Sequence, residues 1–124
     1  MRALRLVSDR KLEIAEVDPP PPPGAGEVQV KTHAIALNHI DVWGWRGMAF
    51  AKRKLPLVVG AEASGEIAAV GAGVKAFKVG DPVTPYGALT CGKCKACLEG
   101  RDNLCEVVNG VNGFHVDGFA RDLY

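Results

Sequence analysis

All four cysteines of this 124-residue chain fall in one short stretch, as Cys91-x-x-Cys94-x-x-Cys97 followed after seven residues by Cys105. A tetrahedral ion such as zinc needs four ligands, and thiolates are the softest a chain offers. A Cys-x-x-Cys turn lets two sulfurs reach one ion, and the seven-residue gap lets the chain loop back to close the shell. Four protein ligands leave no position for water, so the site is expected to be structural. Two rivals fit less well. A bacterial ferredoxin places its fourth cysteine three residues on with proline behind it, whereas here the gap is seven and Glu106 follows. Disulfides need an oxidising compartment that nothing else in the sequence supports.

The rest of the chain is written in short strands and turns. Its 15 glycines and 8 prolines disfavour long helices. Ala3 to Ser8 and Leu12 to Val17 flank Asp9-Arg10-Lys11 as a hairpin would, and Pro19 to Pro23 form a stiff extended connector. Glu27 to Leu37 reads as a half-buried strand, and Asn38 to Trp45 as a short helix ended by Gly44 and Gly47. Ala49 to Leu55 is a basic loop. Leu57 to Val59 and Ala63 to Val70 are strands interrupted by Gly60 and Gly65. Pro82 to Pro85 and Gly118 to Tyr124 are the remaining strands, with an irregular stretch from 87 to 113 between them. This pattern predicts a mainly β fold, a small and partly open β-barrel with short helices and a cysteine lobe at about 87–113.

Composition narrows the partners. Fifteen basic against 14 acidic residues give a formal charge of +1, and Lys93, Lys95 and Arg101 in the lobe are offset by Glu99, Asp102 and Glu106. No basic stripe exists for phosphates, so neither nucleic acid nor an anionic membrane is an expected partner. No apolar run reaches the length of a membrane span, and the first residues lack a secretory signal, so a cytoplasmic location is expected.

Two glycine patterns imitate nucleotide sites. Gly71-Ala72-Gly73 with Ala76 satisfies a dinucleotide fingerprint, but Gly80-Asp81-Pro82 arrives too soon for the helix that would face a pyrophosphate. Gly87 to Gly92-Lys93 resembles a phosphate loop with Cys94 where Ser or Thr would bind magnesium. The first is expected to be a turn, and in the second Cys91 and Cys94 are better used as metal ligands. Asn38 and Asp41 have the spacing of a helix cap with an acidic third residue. His33 and His115 read as surface or packing residues.

Taken together, Gly26-Glu27-Val28-Gln29-Val30, Leu37-Asn38-His39-Ile40-Asp41, Gly60-Ala61-Glu62-Ala63-Ser64-Gly65, Val70-Gly71-Ala72-Gly73-Val74 and Val79-Gly80-Asp81-Pro82-Val83, with the cysteine lobe and Gly118-Phe119-Ala120, resemble the medium-chain dehydrogenase/reductase superfamily. The resemblance is to its N-terminal GroES-like domain and covers nearly all of residues 1–124. It implies the catalytic domain of an NAD(P)-dependent oxidoreductase in which Cys91, Cys94, Cys97 and Cys105 hold one structural zinc. The family continues into a Rossmann domain, of which no usable fingerprint is present here. The chain alone is therefore expected to be inactive, with the Rossmann half and a small-molecule substrate as partners and homo-oligomerisation left open.

The departures from the family pattern carry further expectations. Asn38 stands where zinc-dependent alcohol dehydrogenases have a catalytic cysteine, Ala61 where they have a histidine, and Ile40 where a Ser or Thr begins a proton relay. Asparagine and alanine supply neither thiolate nor imidazole, and Glu62 alone is a poor zinc site. The pattern resembles the zinc-free quinone oxidoreductase and enoyl reductase branch. It implies hydride transfer to a quinone, activated alkene or carbonyl, with Asn38, Asp41 and Glu62 as candidate catalytic residues. His39 is the candidate contact to the pyrophosphate of NAD or NADP. The alternatives are a zinc-dependent alcohol dehydrogenase domain and a free-standing zinc-binding interaction module.

Overall fold

The computed structural model describes residues 1–48, 53–108 and 110–124. Six strands run in chain order: β1 (Arg2–Ser8), β2 (Lys11–Glu16), β3 (Val28–Ala36), β4 (Leu57–Val58), β5 (Glu62–Val70) and β6 (Pro82–Val83). Helix α1 (His39–Trp45) follows β3, and α2 (Lys95–Leu98) with a 3-10 turn (Asp102–Leu104) lies in the lobe. The strands form two antiparallel three-stranded sheets, ordered β2-β1-β4 and β3-β5-β6. The result is a mainly β, partly open barrel, as its turn-rich sequence predicts.

What joins the two sheets is the last segment of the chain. Gly118 to Tyr124 is expected from its sequence to be a strand, but it makes only isolated bridges, Ala3 with Arg121 and Lys31 with Leu123. The reason is that it divides its hydrogen bonds between sheets. Leu4 N–H donates to Ala120 O (2.8 Å) on one side, while Val30 and Tyr124 exchange bonds of 2.7 and 3.0 Å on the other. Its start also bonds to the stretch after β4, with Gly118 N–H on Val58 O (2.8 Å) and Ala120 N–H on Val59 O (2.9 Å). The core follows this seam: Ala3, Leu6, Val58, Val59 and Ala120 pack together, with Leu4, Val17, Trp45 and Leu55 around them.

The hairpin lies where predicted, as Arg2–Ser8 and Lys11–Glu16, with Arg10 in the left-handed region at φ 63°. Three expectations are corrected by packing. Gly44 does not end the helix; it is buried inside α1, where a Cβ would come within 3.2 Å of Phe114 Cδ2 and Arg53 Nη1. Gly65 does not interrupt β5, because paired strands need only a small residue there against the Lys31 carbonyl of β3. The strand expected at Pro82 to Pro85 is two residues long, since proline offers no N–H to continue a ladder. The stretch 87–113, expected to be irregular, contains α2 and the 3-10 turn. Of the basic loop from Ala49 to Leu55, residues 49–52 lie outside the described residues. Gly71-Ala72-Gly73 is a turn with no helix before β6, while Gly87 to Lys93 is an irregular stretch with a bridge from Ala88 to Val111 that leads into the cysteine ligands.

The approach of the last segment to the end of β4 depends on glycine at both sides. Gly60 has φ +95°, and a Cβ on Gly118 would collide with Gly60 O and lie 2.6 Å from Val59 O. Gly118→Ala is therefore expected to lower stability by about 1–3 kcal/mol, the usual cost of overpacking. Urea unfolding followed by tryptophan fluorescence measures it.

Candidate functional site

The cysteine lobe brings its four sulfurs together. Residues 91–94 turn with Gly92 at φ 67°, α2 carries Cys97, and the 3-10 turn returns the chain to Cys105. All four Sγ atoms lie within 4.8 Å of one another, with Cys91 and Cys97 at 4.0 Å. A tetrahedron with metal–sulfur bonds of about 2.3 Å has edges of about 3.8 Å. A disulfide would need about 2.05 Å, and all four cysteines are free. The donor set and spacing thus fit a zinc ion.

Main-chain N–H groups tune the thiols. The N–H of Cys94 points to Cys91 Sγ at 3.3 Å, and that of Cys91 to Cys105 Sγ at 3.4 Å. Donors on Lys93 and Cys94 stabilise the Cys91 thiolate and hold its pKa down to about 6. Cys94 is lowered by the N–H groups of Cys97 and Glu106. Cys97 is pushed up to about 12, first by burial and then by the Cys94 side chain. Thiols this close cannot all ionise unaided; a divalent cation removes that conflict.

The second site forms where β3 ends and β5 begins. Their register places Ala36 opposite Glu62, so Asn38, two residues further, lies beside that carboxylate. Asn38 Nδ2 donates to Glu62 Oε2 at 2.8 Å, and both residues are exposed. Asp41 is buried, at 8% exposure, and both its oxygens serve the main chain. Oδ2 accepts the N–H of Asn38 (2.8 Å), the reaching-back half of a capping box, and Oδ1 accepts the N–H of Gly60 (3.2 Å). His39 is exposed on α1, its ring 6.2 Å from that of Trp43. The structure therefore gathers Asn38, Asp41 and Glu62 and leaves His39 on the outer face of the same helix.

The second site offers few ligand atoms for a catalytic zinc. The Asn38 amide presents a hydrogen to Glu62 rather than a lone pair, and Ala61 has no ligand atom. Among the described residues, the four cysteines are the one group of metal-ligating side chains that could hold an ion.

Sequence reasoning missed Arg53. Its side chain is 6% exposed, donates to Gly44 O (2.7 Å) and Asp9 Oδ1 (3.4 Å), and lies 5.7 Å from the Phe114 ring centre. It anchors the C-terminal end of α1, and a lone arginine in a loop gives no sign of such burial. Of the other histidines, His115 accepts the Val111 N–H at Nδ1 (3.0 Å) and packs edge-on against Phe114, while His33 lies 3.6 Å from Glu66.

Comparison with known proteins gives a consistent picture. Residues 24–123 match the family described as the alcohol dehydrogenase GroES-like domain. The chain is 39% identical over 123 residues to L-threonine 3-dehydrogenase of Saccharopolyspora erythraea, covering 97% of this chain and 36% of that protein. It superposes on the alcohol dehydrogenase of the hyperthermophilic archaeon Aeropyrum pernix with a TM-score of 0.90 and 34% identity, covering 100% of this chain and 37% of that one. A crystal structure of an NAD-dependent alcohol dehydrogenase gives a TM-score of 0.89 at 42% identity, with 100% and 36% covered. The chain spans little more than a third of the length of these relatives.

The cysteine geometry leads to a measurable outcome. Chain purified without chelators is expected to contain one zinc by elemental analysis, with iron or two disulfides refuting the assignment. Cys105→Ser should weaken zinc binding by more than the ~10–100-fold that loss of an outer-shell partner costs. Acid should release the ion, because protons compete with it for all four thiolates. A metallochromic dye reads both.

Proposed function

The chain belongs to the alcohol dehydrogenase GroES-like domain family, and on that premise we propose that it forms one wall of a hydride-transfer cleft in a medium-chain NAD(P)-dependent oxidoreductase. The observation that carries the reading is the Asn38–Glu62 hydrogen bond, which ties up the one carboxylate of the second site with an amide N–H instead of a metal. Polarisation of the substrate then falls to hydrogen bonds. Asn38 supplies the exposed N–H, Glu62 lies behind it, and Asp41 holds the start of α1 through two main-chain donors. His39, exposed on the same helix, is the proposed contact to the cofactor pyrophosphate. NAD or NADP supplies the hydride, and a quinone, an activated alkene or a carbonyl accepts it.

In this reading the zinc of the cysteine lobe is structural. Its four thiolates leave no open position for a substrate or water, and its role is to hold the loop of residues 91–105 in shape. No helix among the described residues is long and apolar enough to cross a membrane, and a cytoplasmic location is part of the proposal.

A second reading is favoured by the relatives, whose names are alcohol and L-threonine dehydrogenases. It makes this chain a zinc-dependent alcohol dehydrogenase domain with alcohol or carbonyl substrates. Metal content separates the two. One zinc per chain, also when the domain is joined to a dinucleotide-binding half, supports the zinc-free cleft; a second, tightly held zinc supports the alcohol dehydrogenase reading.

The isolated chain is expected to show no turnover with NADH or NADPH. Hydride transfer depends on holding nicotinamide and acceptor nearly in contact, and the glycine turn at 71–73 has no helix behind it to receive a pyrophosphate. Titration calorimetry with NADPH should show no saturable binding below millimolar concentration, a limit of about 4 kcal/mol. Fusion to a Rossmann half should restore binding and turnover.

A further inference from the structure

We propose that Glu62 is a positioning residue: its carboxylate fixes the Asn38 amide so that the remaining N–H is offered to an uncharged oxygen of the bound small molecule. This rests on the zinc-free reading of the cleft. An asparagine amide has two N–H groups and one carbonyl oxygen, and rotation about its last torsion is broad and nearly two-fold. An exposed asparagine would therefore present donor and acceptor edges interchangeably. Here one N–H of Nδ2 is committed to Glu62 Oε2 at 2.8 Å. A bond to an ionised acceptor is shorter and stronger than a neutral one, so the amide plane takes one orientation and the second N–H has one direction.

Both partners stand on tied backbone, which is what makes such a bond useful. The main-chain N–H of Asn38 is held by Asp41 Oδ2, and Glu62 opens β5 in register with Ala36 of β3. Beside Glu62 lies a hollow of about 200 Å³ lined by Ala34, Ile35, Ala36, Ala63, Ser64 and Thr84. Among the described residues, Glu62 is the one charged side chain lining it. A carboxylate with no cation in that wall repels an anionic ligand oxygen and admits a neutral carbonyl or hydroxyl oxygen. Asn38 adjoins this hollow through its bond to Glu62, so the charge that orients the donor also acts on a ligand oxygen seated beside it.

The test uses the zinc-loaded, isotope-labelled 124-residue chain and reads the side-chain amide resonances of Asn38. In the unmodified protein its two Hδ2 protons should be widely split and exchange slowly with water. Glu62→Ala should move the Hδ2 proton that faces Glu62 back to the position of a solvated amide, leaving only the splitting that hindered C–N rotation gives any asparagine. It should also speed exchange several-fold, while Glu62→Gln, which keeps an acceptor oxygen, should restore most of the shift. Added acetone should shift the free Hδ2 in the unmodified protein and not in Glu62→Ala; acetate should leave it unmoved. Asn38 resonances unchanged by Glu62→Ala would overturn the proposal, as would a larger response to acetate than to acetone. Loss of the extra splitting in both variants with altered backbone shifts from Val59 to Ser64 would reduce Glu62 to a structural role and overturn it too. Should Glu62→Ala misfold, Asn38→Asp serves instead: two facing carboxylates should raise the pKa of one, and ordinary titration of both would refute the pairing. None of these readouts depends on turnover, so they can fail while the hydride-transfer reading stands, and the reverse.

Discussion

Gly60 is the point at which the parts of this domain are fastened to one another. Its N–H goes to the buried carboxylate of Asp41, its carbonyl accepts the N–H of Phe119, and its φ of +95° turns the chain from β4 into β5. Gly113 and Gly118 approach it so closely that a Cβ on either would clash with its backbone. One residue thereby joins helix α1, both sheets and the sheet-bridging segment. The second site depends on this junction, because Asp41 cannot hold Gly60 without also holding the main chain of Asn38.

The two candidate sites are built by different physics. The cysteine lobe has a small apolar contribution of its own, with Ala96 buried and Leu98, Leu104, Val107 and Val108 exposed. Thiolates around an ion can hold such a loop where a hydrophobic core cannot, since metal binding is itself a folding free energy. The Asn38–Glu62 pair is instead set by strand register. Shifting β3 against β5 by one residue would turn Glu62 to the opposite face, and the amide would have no carboxylate beside it.

Local signals were legible in the sequence and distant ones were not. The hairpin, the cysteine cluster and the Asn38/Asp41 spacing are each set by neighbours within a few residues. The departures of Asn38 and Ala61 from metal ligands were legible too, because they concern side-chain chemistry alone. The sequence carried α1 to Trp45, but the burial of Gly44 against Phe114 and Arg53 was hidden, since both lie outside the helix. The same holds for residues 118–124, which read as a strand but whose partners alternate between sheets. The bond from Gly60 to Asp41 joins residues 19 apart, and neither side of it advertises the other.

The seam made by the last segment bears on the order in which the molecule can be made. Residues 2–4 of β1 find their neighbours at 120–122, more than a hundred positions later. A ribosome delivers the hairpin first; the stretch from β4 to Val59 then covers Leu4 to Leu6, while Arg2 and Ala3 wait for the last segment. Contacts so far apart in sequence also carry a large loop-closure entropy, which slows folding. An unpaired edge is the usual place for strands of two chains to join wrongly. For this fold, the dangerous interval is the time between making Arg2 and making Asp122.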